Sequence, residues 1–252
     1  MIAAEPASLK SSGKLSIIVR DWFAWTPGRE TRGDWLDWAG RADARAALDQ
    51  GMPVLPMMLR RRATSIGQKA LGAALACTGV SEARFVLASR HGEYDRTALL
   101  LASLADEEPP SPADFSMSVH HGLVGLLSIH TGNRLGHTAV ASSLDSFGYG
   151  LLEAASCLED RPDIPVLFLY FDAPLPEPYV SYRLPAEANL PLVLALLLTA
   201  GDGDRISIDC AVNSAGNASD SLPEAFLKFL LTNAPAATAT GEQMTWRWDR
   251  AA

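Results

Sequence analysis

Few side chains in this chain can do chemistry. Histidines stand at 91, 120, 121, 130 and 137, and cysteines at 77, 157 and 210. The cysteines lie too far apart for a disulfide framework or a zinc spacing, so reduced, buried and inert thiols of a cytoplasmic protein are expected. His91, Glu93 and Asp95 fall close together, but no second ligand motif accompanies them, so they read as a loop. His120 and His121 are neighbours on a helix and do not share a face. No GxGxxG and no GxxxxGK[ST] is present, so nucleotide binding has no support. No metal and no other cofactor is expected.

The stretch over residues 111–158 offers more. Apolar or small residues at Met117, Val119, Leu123, Val124, Leu126 and Leu127 predict a largely buried helix over 115–128. Thr131-Gly132-Asn133 ends it. Residues 138–141 form a short strand. Ser142 and Ser143 can then cap a helix that buries Leu144, Phe147, Leu151, Leu152, Ala155 and Leu158. A strand running into a helix N-terminus presents unpaired N–H groups and a positive dipole end to an anion, and enzymes set nucleophiles there. At this elbow stand Ala139, Val140 and Ala141, none of which can attack a carbonyl. Ser142 or Ser143, with His137 and Asp145 near in sequence, keeps open a stand-alone hydrolase or acyltransferase, although the glycines of Gly-x-Ser-x-Gly are missing.

These motifs resemble the β-ketoacyl synthase (thiolase-like) superfamily, above all its short chain length factors of the bacterial aryl polyene type. Active synthases of the superfamily read Thr-Ala-Cys at the elbow, with a glycine eight residues after the cysteine. Here Thr138-Ala139-Val140 is followed by Gly148 at that distance, so the resemblance puts Val140 in the nucleophile's place. Phe115-Ser116-x-Ser118-Val119-His120 and Leu127-Ser128-Ile129-His130-Thr131-Gly132 carry it further, and it extends from about residue 22 to residue 170.

The resemblance implies a thiolase-like layered α/β/α sandwich with a mixed sheet, about half of a full ketosynthase subunit, as one domain over 15–252 behind a mobile 1–14. Condensation in the superfamily also needs two histidines in the second half of the subunit; here none follows His137. The implied role is therefore a non-catalytic chain length factor that pairs with a full ketosynthase and bounds its acyl tunnel, the substrate riding on an acyl carrier protein. The resemblance places the helix over 116–128 at the subunit interface, with Ser116, His120, Leu123, Leu126 and Leu127 at the tunnel end; the leucines can equally be internal core. A homodimeric acyl-binding module is the third reading.

Composition narrows the classes. The 252 residues are 48% hydrophobic, ample for a sizeable core. A net charge of −8 argues against nucleic acid or an anionic membrane as main partner. No apolar run is long enough to span a bilayer, and the N-terminus shows no secretory pattern. Against that acidic background Arg60-Arg61-Arg62 stands out, either as a contact for an acyl carrier protein or partner subunit, or as a solvated helix face.

The remaining elements follow from periodicity and turn chemistry. Strands are expected at 15–19, 84–89, 166–172 and 244–248, the third buried on both faces. Thr31 and Asp34 can cap a short helix in a tryptophan-rich loop, whose rings serve either a partner surface or the core. A single helix is expected over 57–77, stopped by Gly79, and others over 97–104 and 222–231. Residues 192–199 and 205–212 read as an antiparallel hairpin across Gly201-Asp202-Gly203, with a helix over 190–200 as the alternative. Residues 179–184 read as an extended edge and 234–241 as flexible.

Overall fold

The computed structural model describes residues 15–41, 51–216, 218 and 220–250; the N-terminal expectation for 1–14 lies outside them. Eight strands form one mixed sheet: β1 (Ser16–Trp25), β2 (Arg84–Ala88), β3 (His137–Val140), β4 (Val166–Asp172), β5 (Leu192–Thr199), β6 (Arg205–Val212), β7 (Ala236–Thr240) and β8 (Met244–Arg250). Their order is β3-β2-β4-β5-β1-β6-β8-β7. β2 is parallel to β3 and β4, and every other pairing is antiparallel.

Continuous apolar runs became strands covered on both faces. Phe168 and Tyr170 of β4 join Leu194 and Leu196 of β5 in one core layer, against the helices α7 (Ser146–Asp160) and α8 (Leu222–Thr232). The alternate residues Leu167, Leu169, Val193 and Ala195 join the other, against α3 (Ser65–Ala76) and α6 (His120–Thr131). Leucine-rich 192–199 is therefore strand, because both its faces meet apolar helices.

The expected hairpin is corrected. β5 and β6 do not pair; β1 lies between them and pairs with both. The turn over 200–204 is real but straddles a third strand, and Arg20 of β1 holds it by donating to the Asp202 carbonyl. β1 itself runs well past residue 19 and takes in Trp22 and Trp25. A register shift between Val19 and Asp21 changes its parity, so Ile17 and Ala24 serve one core layer. Residues 236–240, expected to be flexible, are strand β7, pinned by β8. Residues 179–182 form a 3₁₀ turn rather than an extended edge.

Two expected helices are each broken in two. The first is α2 (Met57–Arg62) followed by α3. Thr64 caps α3, its Oγ1 accepting from the Gly67 N–H at 3.3 Å. Buried Glu93 accepts from both the Thr64 N–H (2.7 Å) and its hydroxyl (2.6 Å). That carboxylate is 29 residues away in sequence, so periodicity could not register it. The second is α5 (Pro112–Ser118) followed by α6, with Val119 extended between them. At Gly122 a Cβ would sit 3.0 Å from the Met117 carbonyl oxygen, so a larger residue would push the two helices apart by a few tenths of an ångström. The capping box of Thr31 and Asp34 forms as expected at α1 (Arg32–Trp38). Trp25 and Trp35 are buried, and Trp22 and Trp38 half-buried. α4 (Tyr94–Ala105) completes the helices among the described residues and buries only Leu100.

Candidate functional site

Val140 ends β3, an edge strand bonded to β2 alone, and it pairs with Ala88. The chain then bends through 141–145 into α7. The turn is tight: Ser143 has φ +49°, and Ser146 Oγ accepts from the Ser142 N–H at 2.9 Å while donating to the Ser143 carbonyl at 2.7 Å. Ser142 and Ser143 therefore build the elbow and do not cap the helix. The cap position belongs to buried Asp145.

Asp145 is a residue that sequence reasoning missed as an organiser. Its carboxylate accepts from the Trp246 indole N–H at 2.8 Å and from the Gln243 N–H at 2.7 Å. The β7–β8 hairpin is thereby tied to the first turn of α7. Gly148 makes the contact feasible, since a Cβ there would lie 2.2 Å from Trp246 Cε2. A helix-interior glycine was the available sequence signal, but its partner lies nearly a hundred residues on.

The C-terminal ends of β2, β3 and β4 lie side by side, because their ladders align Ala88 with both Val140 and Tyr170. A polar cluster sits there. Asp172, buried, accepts from Ser89 Oγ at 2.9 Å and from the Arg90 and His91 N–H groups at 3.0 Å. Burial pushes its carboxyl above the ordinary value, although bonds from His91, Arg90, Ser89 and Tyr170 work the other way. Glu187 accepts from Arg90 at 2.7 Å and lies 2.9 Å from His91 Nε2. Burial opposes its ionisation, but the Leu184 N–H, His91 and Arg90 outweigh that and hold its carboxyl below the ordinary value. A cavity of about 30 Å³, lined in part by Arg90, Ser143, Asp172 and Glu187, separates the cluster from the elbow. That volume suits a single water.

The expected interface residues fall into two groups. Ser116 is exposed on α5, and His120 begins α6, its Nε2 3.1 Å from the Ser89 carbonyl. Leu123, Leu126 and Leu127 are buried in this chain's own core with α3 and the sheet. What the α5–α6 corner presents outward is Phe115 (65% exposed) and Val119 (52%), with Ile129 and Leu135 also exposed nearer the open edge of β3. Arg60, Arg61 and Arg62 are exposed at the end of α2.

His137 cannot serve Ser142 or Ser143 as a base. It begins β3 while the serines follow its end, and its ring packs on His121 at 5.2 Å. Burial and the neighbouring His121 hold its pKa below the ordinary value. No cluster of three or more metal-ligating side chains occurs among the described residues. Glu93 is committed to Thr64, and His91 to Glu187. Cys77 and Cys157 are buried and Cys210 half-buried; burial is the main cause raising all three thiol pKa values. No helix among the described residues is long and apolar enough to cross a membrane.

Comparison with known proteins agrees with this arrangement. No curated protein matches the chain. A solved complex of a ketosynthase (ApeO) with its chain length factor (ApeC) from Xenorhabdus doucetiae contains a chain 30% identical, with a TM-score of 0.79 over 94% of this chain and 100% of that one. The ishigamide ketosynthase/chain length factor (14% identity, TM-score 0.58, 81% of this chain and 69% of that one) shares the fold. So does a β-ketoacyl synthase from Burkholderia phymatum (14%, 0.52, 88% and 71%). The family model for the β-ketoacyl synthase N-terminal domain matches residues 35–249. With that match and the α/β sheet on which Val140 meets the elbow, the chain belongs to the β-ketoacyl synthase N-terminal domain family.

Proposed function

We propose that this chain is a chain length factor: a non-catalytic subunit that pairs with a complete ketosynthase and bounds its acyl tunnel in aryl polyene-type biosynthesis, on chains borne by an acyl carrier protein. One observation carries the reading. The elbow that would hold a thiolate ends in the saturated side chain of Val140, and the sequence offers no histidine after His137 to polarise a thioester. The end-to-end likeness to a chain from a ketosynthase–chain length factor complex supports it.

The open edge of β3, with Phe115, Val119, Ile129 and Leu135 exposed on and beside the α5–α6 corner, is the surface we assign to the ketosynthase. Scattered apolar residues are ordinary, but an apolar group beside an unpaired strand edge marks an interface. Phe115 and Val119, rather than the buried leucines, would then close the partner's tunnel. Steric closure suffices, since each methylene denied burial forfeits about 0.8 kcal/mol.

Co-expression with a complete ketosynthase tests the reading. A stable hetero-complex that elongates malonyl units is expected, whereas the lone chain does not. Phe115→Ala in that complex should shift products by one or more elongation steps. Elongation by the lone chain, or failure of the two subunits to associate, would remove the proposal.

A further inference from the structure

A second surface, joined to the α5–α6 corner where α4 packs on α5, carries charge of both signs. The segment before and through α2 exposes Val54 (90%), Met57 and Met58, and next to them Arg60, Arg61 and Arg62. No ion pair engages these guanidiniums among the described residues. Beside this knob, a groove of about 500 Å³ runs between α4 and the proline-rich loop over 176–179. Asp95, Leu99, Ala102, Pro176, Glu177 and Tyr179 line it; Leu99 is 69% exposed. The acidic run Asp106-Glu107-Glu108 follows the end of α4 and is exposed. The groove thus has carboxylates and no cation, and the knob has cations and no carboxylate. They are neighbours: Arg96 of α4 donates to the Arg62 carbonyl at 2.7 Å, and Ser65, Asp95, Pro176 and a cation, Arg183, line one pocket between them.

We propose that this face binds a second copy of the chain across a two-fold axis, the knob of each entering the groove of the other. A two-fold interface must be self-complementary, and adjacent patches of opposite charge with apolar centres meet that condition on one surface. Three arginines meet Asp95 and Glu177, and Val54, Met57 and Met58 meet Leu99 and the prolines. Each apolar contact occurs twice. Self-association uses α2 and α4 and the ketosynthase uses β3 and the α5–α6 corner; these meet where α4 packs on α5, so both partners bind together only if neither covers that seam. From sequence the arginines suit a carrier protein, a partner subunit or a solvated helix face; the groove supplies counter-charges for them from the same fold.

Sedimentation of the full chain, alone and co-purified with its ketosynthase, tests this. The lone chain should sediment at twice its 26.9 kDa at low salt and dissociate as salt screens the pairs. The variant Arg60→Glu/Arg61→Glu/Arg62→Glu should be a monomer, as should Asp95→Lys/Glu177→Lys, because each sets like charges opposite each other. An equimolar mixture should recover the dimer, since both mixed contacts attract. In the ketosynthase complex the same pair of variants should halve the assembly and, mixed, restore it. A wild-type chain that stays monomeric, a dimer indifferent to both reversals, or a mixture that fails to associate would overturn the proposal. So would a monomer whose arginines bind acyl carrier protein or anionic vesicles instead.

Discussion

Val140 and Glu187 show how single side chains decide opposite matters. Val140 lies at the end of β3, where the fold could present a nucleophile, yet its isopropyl group offers no lone pair. Restoring the thiol should not restore chemistry, because no imidazole follows His137 to polarise the malonyl thioester. Val140→Cys, assayed alone with malonyl carrier protein, should still give no condensation product by mass spectrometry; turnover would mean that another group supplies the missing donors. Glu187 works through stability. Its carboxyl is held below the ordinary 4.5 by the Leu184 N–H, His91 and Arg90 against the pull of burial. A depressed acid stabilises the fold above its unfolded value and loses that contribution as pH falls through the folded one. Glu187→Gln should therefore cost about 1 kcal/mol at neutral pH, kept small by the partial exposure of Arg90, and should flatten the pH dependence below about 4.5. Asp172 acts with the opposite sign: burial raises its carboxyl above the ordinary 3.8, so the fold loses stability as pH rises from that value. Urea denaturation of both proteins across the acid range isolates the Glu187 part as a difference.

At the scale of elements, helices break where a distant group competes for their backbone. Glu93 takes the Thr64 N–H, so the apolar stripe over 57–77 becomes two helices although its spacing is unbroken. At 112–131 the break is local: Val119 is extended, and Gly122 packs against the Met117 backbone at the corner. The division turns the leucines of α6 inward and leaves Phe115 and Val119 outside. Leu127→Ala should then act as a core truncation, lowering stability by about 2–5 kcal/mol in chemical denaturation with product length unchanged in any complex that still folds. Gly148→Ala should lower stability by about 1–3 kcal/mol, because a methyl there meets Trp246 and must push the β7–β8 hairpin off α7. Loss of the Trp246 fluorescence signature with little change in helix content would be the expected readout.

Over the whole molecule, one sheet with helices on both faces supplies two outer surfaces of different character. One is the open edge of β3 with its apolar corner, and the other joins the knob before α2 to the groove beside α4. Much of this architecture was legible in the residues. Val166–Asp172 declared itself a strand buried on both sides, and Thr138 to Leu158 declared a strand, an elbow and a helix. The elbow needed only local turn chemistry and two periodicities, and Val140 could be read as a non-nucleophile from its identity alone. The pairing of β1 between β5 and β6, the strand at 236–240, the Asp145–Trp246 tie and the Asp172 cluster were not legible. All but the β7–β8 hairpin join residues far apart in sequence, and hydrophobic period reports which face is buried but never by what. So the sequence by itself determined that the residue at the elbow, Val140, is no nucleophile, because a side chain's reactivity is a local property. Tertiary structure alone decided which apolar residues stay exposed, because exposure is set by whatever else packs there.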